Sequence, residues 1–270
     1  MGVAMALESC ASAILPRDDT GGLDLSFGNG KAMVALTQMI ADREGLGDLL
    51  AEGTDAAAAE IGGGADKFSI TTHGQPFPMH ECRSRHGQAL GYAVSPTGAD
   101  HMHNVWDEGL VHAPLGEGWQ TLGVYNPVPT TDLSAAKVHA YTVNTNLKWL
   151  DNALGMCMFI PWTTDQKVDL VRAITGWETN LWELLKACER QVTMMRLFNM
   201  RSGWTRADDT LPERVQVHHV SGSVTEEPVM PEVLDEAVST FYGMMGWDTE
   251  TGAPTAAKLH ELEIAWAADD

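Results

Sequence analysis

Prolines at positions 76, 78, 96, 114, 127 and 129 break up the middle of this 270-residue chain, from about residue 65 to 130. Each lacks a backbone N–H and clashes with the preceding turn, so no long helix runs through that region. Helical periodicity flanks it on both sides. Before it, Met33, Leu36 and Ile40 recur at helical spacing from Lys31 to Glu44, and LGDLLAEGTDAAAAEIGGG repeats the pattern until three glycines stop it, which predicts two helices. After it, Thr131 and Asp132 cap a helix through AAKVHAYTVNTNLKWLDNAL that ends at Gly155, and Thr163 to Asp165 open another over QKVDLVRAIT. From Glu178 a long helix places Leu181, Leu184, Leu185, Cys188, Val192 and Met195 on one apolar stripe. After the loop RSGWTRADDTLPER and an irregular acidic segment, two helices, about Pro231 to Gly243 and Pro254 to Trp266, close the chain. No strand alternation or internal repeat stands out. The pattern predicts an all-α, multihelical protein in two closely packed parts, residues 1–120 and 121–270, divided in the stretch from Pro114 to Thr131.

Within the broken region, MHECRSRHGQALGYAVSPTGADHMH, Met79 to His103, concentrates the chemistry. Gly87, Gly91 and Gly98 with Pro96 predict repeated turns rather than a helix, with backbone able to approach a ligand closely. His80, Cys82, His86, Asp100, His101 and His103 crowd into it, all groups that ligate metals, move protons or orient substrates. Their spacings, His80-x-Cys82-x3-His86 and His101-x-His103, suit a zinc site and a metal-dependent hydrolase as one alternative. Near the start, GGLDLSFGNG after Arg17-Asp18-Asp19-Thr20 joins glycines to carboxylates in a loop suited either to a surface turn or to a ligand.

Charge and cysteine usage narrow the partners. The formal net charge is −20, from 37 acidic and 17 basic residues, which argues against nucleic acid because phosphate backbones are held by Lys and Arg. No apolar run reaches the roughly 18 residues of a membrane span, and the first residues lack an export signal, which places the protein in the cytoplasm. Cys10, Cys82, Cys157 and Cys188 form no CxxC pair, so a functional cysteine acts singly. Cys157 falls just past a helix end, whereas Cys188 sits on the apolar stripe as a core residue.

Five segments in order, GGLDLSFGN, RSRHGQALGYAVSPTGADHMHN, DNALGMCMF, FNMRSGWTRADDTLPER and FYGMMGWDTETGAPTAAKLHEL, resemble the C-terminal two domains of tungsten-dependent aldehyde ferredoxin oxidoreductases. The resemblance spans almost the whole chain. It implies tungsten, or molybdenum in some relatives, held by the dithiolenes of two pterins beside a four-iron four-sulfur (4Fe-4S) cluster. It also implies an aldehyde as substrate and ferredoxin as electron acceptor.

The family holds its pterins with two copies of Asp-x-x-Gly-Leu-(Asp or Cys). The first matches Asp19 to Asp24, with Gly22 and Leu23 in register. The second aligns with Asn152-Ala153-Leu154-Gly155-Met156-Cys157, which has Asn for Asp and Met for Leu. Asn152 keeps a carbonyl acceptor and loses the charge, so its pterin contact weakens unless neighbouring Asp151 substitutes. Cys157 matches the last cluster ligand. The resemblance implies that the other three thiolates, a CxxCxxxC group, come with an N-terminal cofactor-binding domain from a parent or separate chain. GYAVSPTGADH matches the segment lining the active-site cavity, with Thr97 where the family has Arg. Asp100 matches there, and His101 and His112 are the candidates for the proton-handling histidine. A cofactor-free helical scaffold is the other alternative.

Overall fold

In the computed structural model, which describes residues 6, 14–218 and 227–268, the Asn29 side chain accepts from the Ala32 amide and starts helix α1, Gly30–Asp42. Such a cap satisfies one of the amides a helix start leaves open. Arg43 ends α1 in the left-handed conformation, φ 54°. Helix α2, Leu46–Ala51, packs back on α1 through Gly47, where an added Cβ would fall 2.2 Å from the Met39 carbonyl carbon. Gly53, φ 99°, then separates α2 from α3, Thr54–Ile61, so the stretch expected to be one helix is two. Leu36, Leu46, Leu50, Ala57 and Ala58 bury against one another between these helices. A two-residue antiparallel pair follows, β1 Thr71–Thr72 with β2 Gln75–Pro76, closed by His73 and Gly74 at positive φ. It is too short to show an alternating pattern in sequence.

These elements belong to the first of two compact units, residues 1–79 and 80–270. The stretch from Pro114 to Thr131 lies inside the second unit.

The second unit opens with a correction to the sequence reading: part of the Met79 to His103 segment is helical. Helix α4, His86–Val94, is buried at every residue. Its glycines serve close packing rather than turns. A Cβ at Gly87 would lie 2.7 Å from Asp107 Oδ1, and one at Gly91 2.0 Å from Asn104 Oδ1. Asp107 accepts from the Gly87 and Gln88 amides at the start of α4, and fully buried Lys137 donates to Asp107 Oδ1. A short helix α5, Glu117–Thr121, precedes α6, Ala135–Ala153, around which the unit is built. Ser134 is the N-cap position of α6, tied by its amide and hydroxyl to Asp132 Oδ2.

Helix α7, Thr164–Thr175, starts at a reciprocal Thr163–Gln166 capping box. Asn180 caps α8, Leu181–Arg201. After residues outside the described set, which take part of the expected acidic segment, come α9, Pro231–Met245, and α10, Ala256–Glu261. Helix α6 packs on α4, α8 and α9. Val138, Tyr141, Leu184, Cys188, Val192, Val238 and Phe241 are buried. Tyr141 meets Phe241 edge-on with ring centroids 5.5 Å apart. Cys188 is 1% exposed, and burial pushes its thiol up to about 12, so it is an inert core residue. Cys10 lies outside the described residues.

Candidate functional site

The loop that leaves α4 carries the candidate residues Asp100, His101 and His103. Asn199 on α8 donates to the Pro96 carbonyl at 2.8 Å, and Gly98 turns the chain at φ 79°. Asp100 then folds back on its own backbone, Oδ1 accepting from the Met102 amide at 2.7 Å. Its other oxygen lies 2.9 Å from His103 Nδ1. The His103 contact, helped by the Met102 amide and opposed by partial burial, holds the Asp100 carboxyl below its ordinary value.

His103 fastens this loop to the end of α6. Its ring stacks flat on Trp149, its carbonyl accepts from the Thr145 hydroxyl, and its Nε2 meets the Asn152 side-chain amide nitrogen. Asp100, His103 and Asn152 are thus linked through His103, from the loop after α4 to the end of α6. With its nitrogen held by His103, the Asn152 amide is left with Oδ1 as the acceptor to offer. Asp151 does not substitute for the missing charge: it is buried and paired with Lys167. Helix geometry explains this, because adjacent positions face in different directions and only one of the two meets α7.

His101 points into a second group. Its ring centroid is 4.5 Å from that of His80, and both meet Trp106 edge-on, at 6.1 Å and 4.9 Å. Arg85 reaches His80 Nδ1 at 3.3 Å and sits over Trp106. Burial first, then His101 and Arg85, lower the His80 pKa, so His80 favours the neutral ring. His112 is exposed, and among the described residues its side chain makes no hydrogen bond, ion pair or ring contact. The sequence reading missed the bridging role of His103; its spacing from Asp100, three residues on in a glycine-turned loop, is the one local signal for it.

The zinc arrangement is not assembled. Cys82 is fully buried and His86 Nε2 lies 3.1 Å from the Glu227 carbonyl. Among the described residues no three His, Cys, Asp or Glu side chains are grouped to hold a metal ion.

The two Gly motifs have the same local form. In the first, a single helical turn at Arg17–Thr20 leads into Gly21 and Gly22 at φ 66° and 84°. Buried Thr20 donates to the Leu23 carbonyl, and Asn29 donates to that of Asp24. Asp19, Gly22 and Asp24 are exposed. In the second, α6 ends and Gly155 turns at φ 65°, with the Met156 amide donating to the Asp151 carbonyl at 2.8 Å. Met156 is partly buried, and Cys157 beyond it is exposed. Nothing lies within 4 Å of where a Cβ would start at either Gly22 or Gly155. Left-handed backbone and open space beside acceptor side chains fit a flat ligand rim approaching the main chain. An exposed thiol just past a helix end is likewise open to an iron-sulfur cluster.

A family model described as "Aldehyde ferredoxin oxidoreductase, domains 2 & 3" matches residues 1–264. The chain is 30% identical to a tungsten-containing aldehyde ferredoxin oxidoreductase of Pyrococcus abyssi, over 97% of this chain and 42% of that protein. It is 32% identical to the Pyrococcus furiosus protein of the same name, over 88% and 38%. An aliphatic sulfonate oxidoreductase, WOR-like subunit, of Pyrococcus furiosus is 26% identical over 98% and 39%. The chain thus spans about two fifths of the length of these relatives. Among solved structures, the active site complex BamBC of benzoyl coenzyme A reductase superposes with a TM-score of 0.67 over 99% of this chain and 44% of that one; at 23% identity this shows a shared fold. No helix among the described residues is long and apolar enough to cross a membrane. Family match, helical fold and ordered motifs agree: the chain belongs to the aldehyde ferredoxin oxidoreductase family, in the region of its domains 2 and 3.

Proposed function

We propose that this chain is the C-terminal part of a cytoplasmic tungsten or molybdenum pterin oxidoreductase that oxidises an aldehyde and passes electrons through a 4Fe-4S cluster to ferredoxin. The reaction is RCHO + H2O → RCOOH + 2 H+ + 2 e−. When bound, the metal-pterin group supplies the oxygen-transfer and two-electron chemistry. The observation that carries the reading is the matched pair of open, left-handed glycine turns, Gly22 and Gly155, each beside acceptor side chains.

In this reading Asp19 and Asp24 accept hydrogen bonds from one pterin and Gly22 lets the ring approach, with Leu23 packing beneath. Asn152 offers its Oδ1 to the other, held in place by His103, while Gly155 and Met156 shape the approach. Cys157 gives the cluster one thiolate, and an N-terminal domain gives three. Of the two proton-handling candidates, His101 has the better support. It sits against neutral-favouring His80 and beside Asp100, whereas His112 lacks such partners. Asp100 acts through His103, anchoring the loop.

Anaerobic reconstitution with iron and sulfide tests this, using the chain joined to an upstream domain carrying CxxCxxxC. The broad absorption of thiolate-bound iron is expected, lost in Cys157→Ala while the helical circular dichroism stays. A cluster that survives Cys157→Ala overturns the ligand assignment.

A further inference from the structure

Asn144, Leu147 and Lys148 fall at i, i+3 and i+4 of α6 and therefore share one face of that helix. That face lines a cavity of about 250 Å³, with Trp106, Trp119 and Leu122 also in its wall. Two features of the lining are unspent. The Asn144 Oδ1 atom is shielded from solvent and has no hydrogen-bond partner among the described residues. The Lys148 ammonium has no ion pair or hydrogen bond among them either, although its side chain is partly buried. The carboxylate acting on it, Asp151, is already paired with Lys167. Burial therefore disfavours the Lys148 charge, and an anion delivered into the cavity would relieve that cost. A hydrogen-bond donor on the same ligand would relieve Asn144. Two indoles in so small a space favour a flat aromatic body over an aliphatic chain, since ring-on-ring contact adds to apolar burial.

We infer that this cavity binds a small aromatic carboxylate that carries a hydroxyl or amino donor, with the carboxylate on Lys148, the donor on Asn144 and the ring against Trp106 and Trp119. The inference does not rest on the oxidoreductase reading. It shares a wall with the His80–His101 group, because Trp106 also meets both of those rings.

Isothermal titration of the protein with 4-hydroxybenzoate tests the inference. Saturable one-to-one binding is expected, about tenfold or more tighter than for 4-hydroxybenzyl alcohol, which lacks the charge, or for cyclohexanecarboxylate, which lacks the ring. Lys148→Met should weaken binding by a similar factor while Lys148→Arg largely retains it, which separates loss of the anion contact from loss of fold. Equal affinity for the acid and the alcohol, binding unchanged in Lys148→Met, or no saturable heat with 4-hydroxybenzoate would overturn it.

Discussion

His103 lies face to face with Trp149, ring centroids 3.8 Å apart and planes within 3°. The Trp149 ring belongs to α6 and is 4% exposed, so the loop bearing Asp100 and His101 is pinned to the helix that presents Asn152. His103→Ala removes the stack together with the Asp100 and Asn152 contacts. Aromatic stacking contributes about 0.5–1.5 kcal/mol beyond area burial, and each polar contact about 1 kcal/mol. A loss of about 2.5–3.5 kcal/mol is expected in urea denaturation. An unchanged midpoint would show that the loop is held by other contacts.

Asp100 predicts a pH signature. Its folded-state pKa is depressed, chiefly by His103, so the unfolded chain takes up the proton first on acidification. The stabilisation is fully present above the ordinary aspartate value of 3.8 and is lost as pH falls through the lowered folded value. The stability gap between the protein and Asp100→Asn should therefore narrow as pH falls below 3.8. A gap that widens as pH falls below 3.8 would contradict the His103 contact.

The wholly buried Lys137–Asp107 pair fixes where α4 begins. Lys137→Met leaves the Asp107 carboxylate without its counter-charge and should cost about 3–5 kcal/mol. Adding Asp107→Asn removes the stranded charge, so the double variant should be more stable than the sum of the single changes allows. Chemical denaturation of the four proteins measures this. Strict additivity would mean that the pair is not coupled.

Capped, amphipathic segments were the most legible in sequence. The helix start at Thr163 and the stripe through Leu184, Cys188 and Val192 fold as local rules expect, since their signals lie within a few residues. Helix α4 was hidden because its glycines look like turn formers. Gly87 and Gly91 are there to admit Asp107 and Asn104, contacts that become visible only once the following loop has folded back. The site divides in the same way. Gly22, Gly155 and Cys157 are singled out by the family resemblance; the turns at the two glycines are local, and Cys157 is exposed. The Asp100–His103–Asn152 chain joins residues 49 positions apart in sequence, and no periodicity encodes it. Whether Asp151 was free to replace the missing charge was likewise not legible, because its partner Lys167 lies on another helix.

The most direct test of the oxidoreductase reading is the metal and pterin content of the protein produced with an N-terminal cofactor-binding domain, purified without oxygen from cells supplied with tungstate and molybdate. Tungsten or molybdenum together with pterin and iron is the predicted result, and the double variant Asp24→Ala/Asn152→Ala should lose the pterin and its metal while remaining helical. Protein that carries zinc alone, or no metal or pterin, would contradict the account.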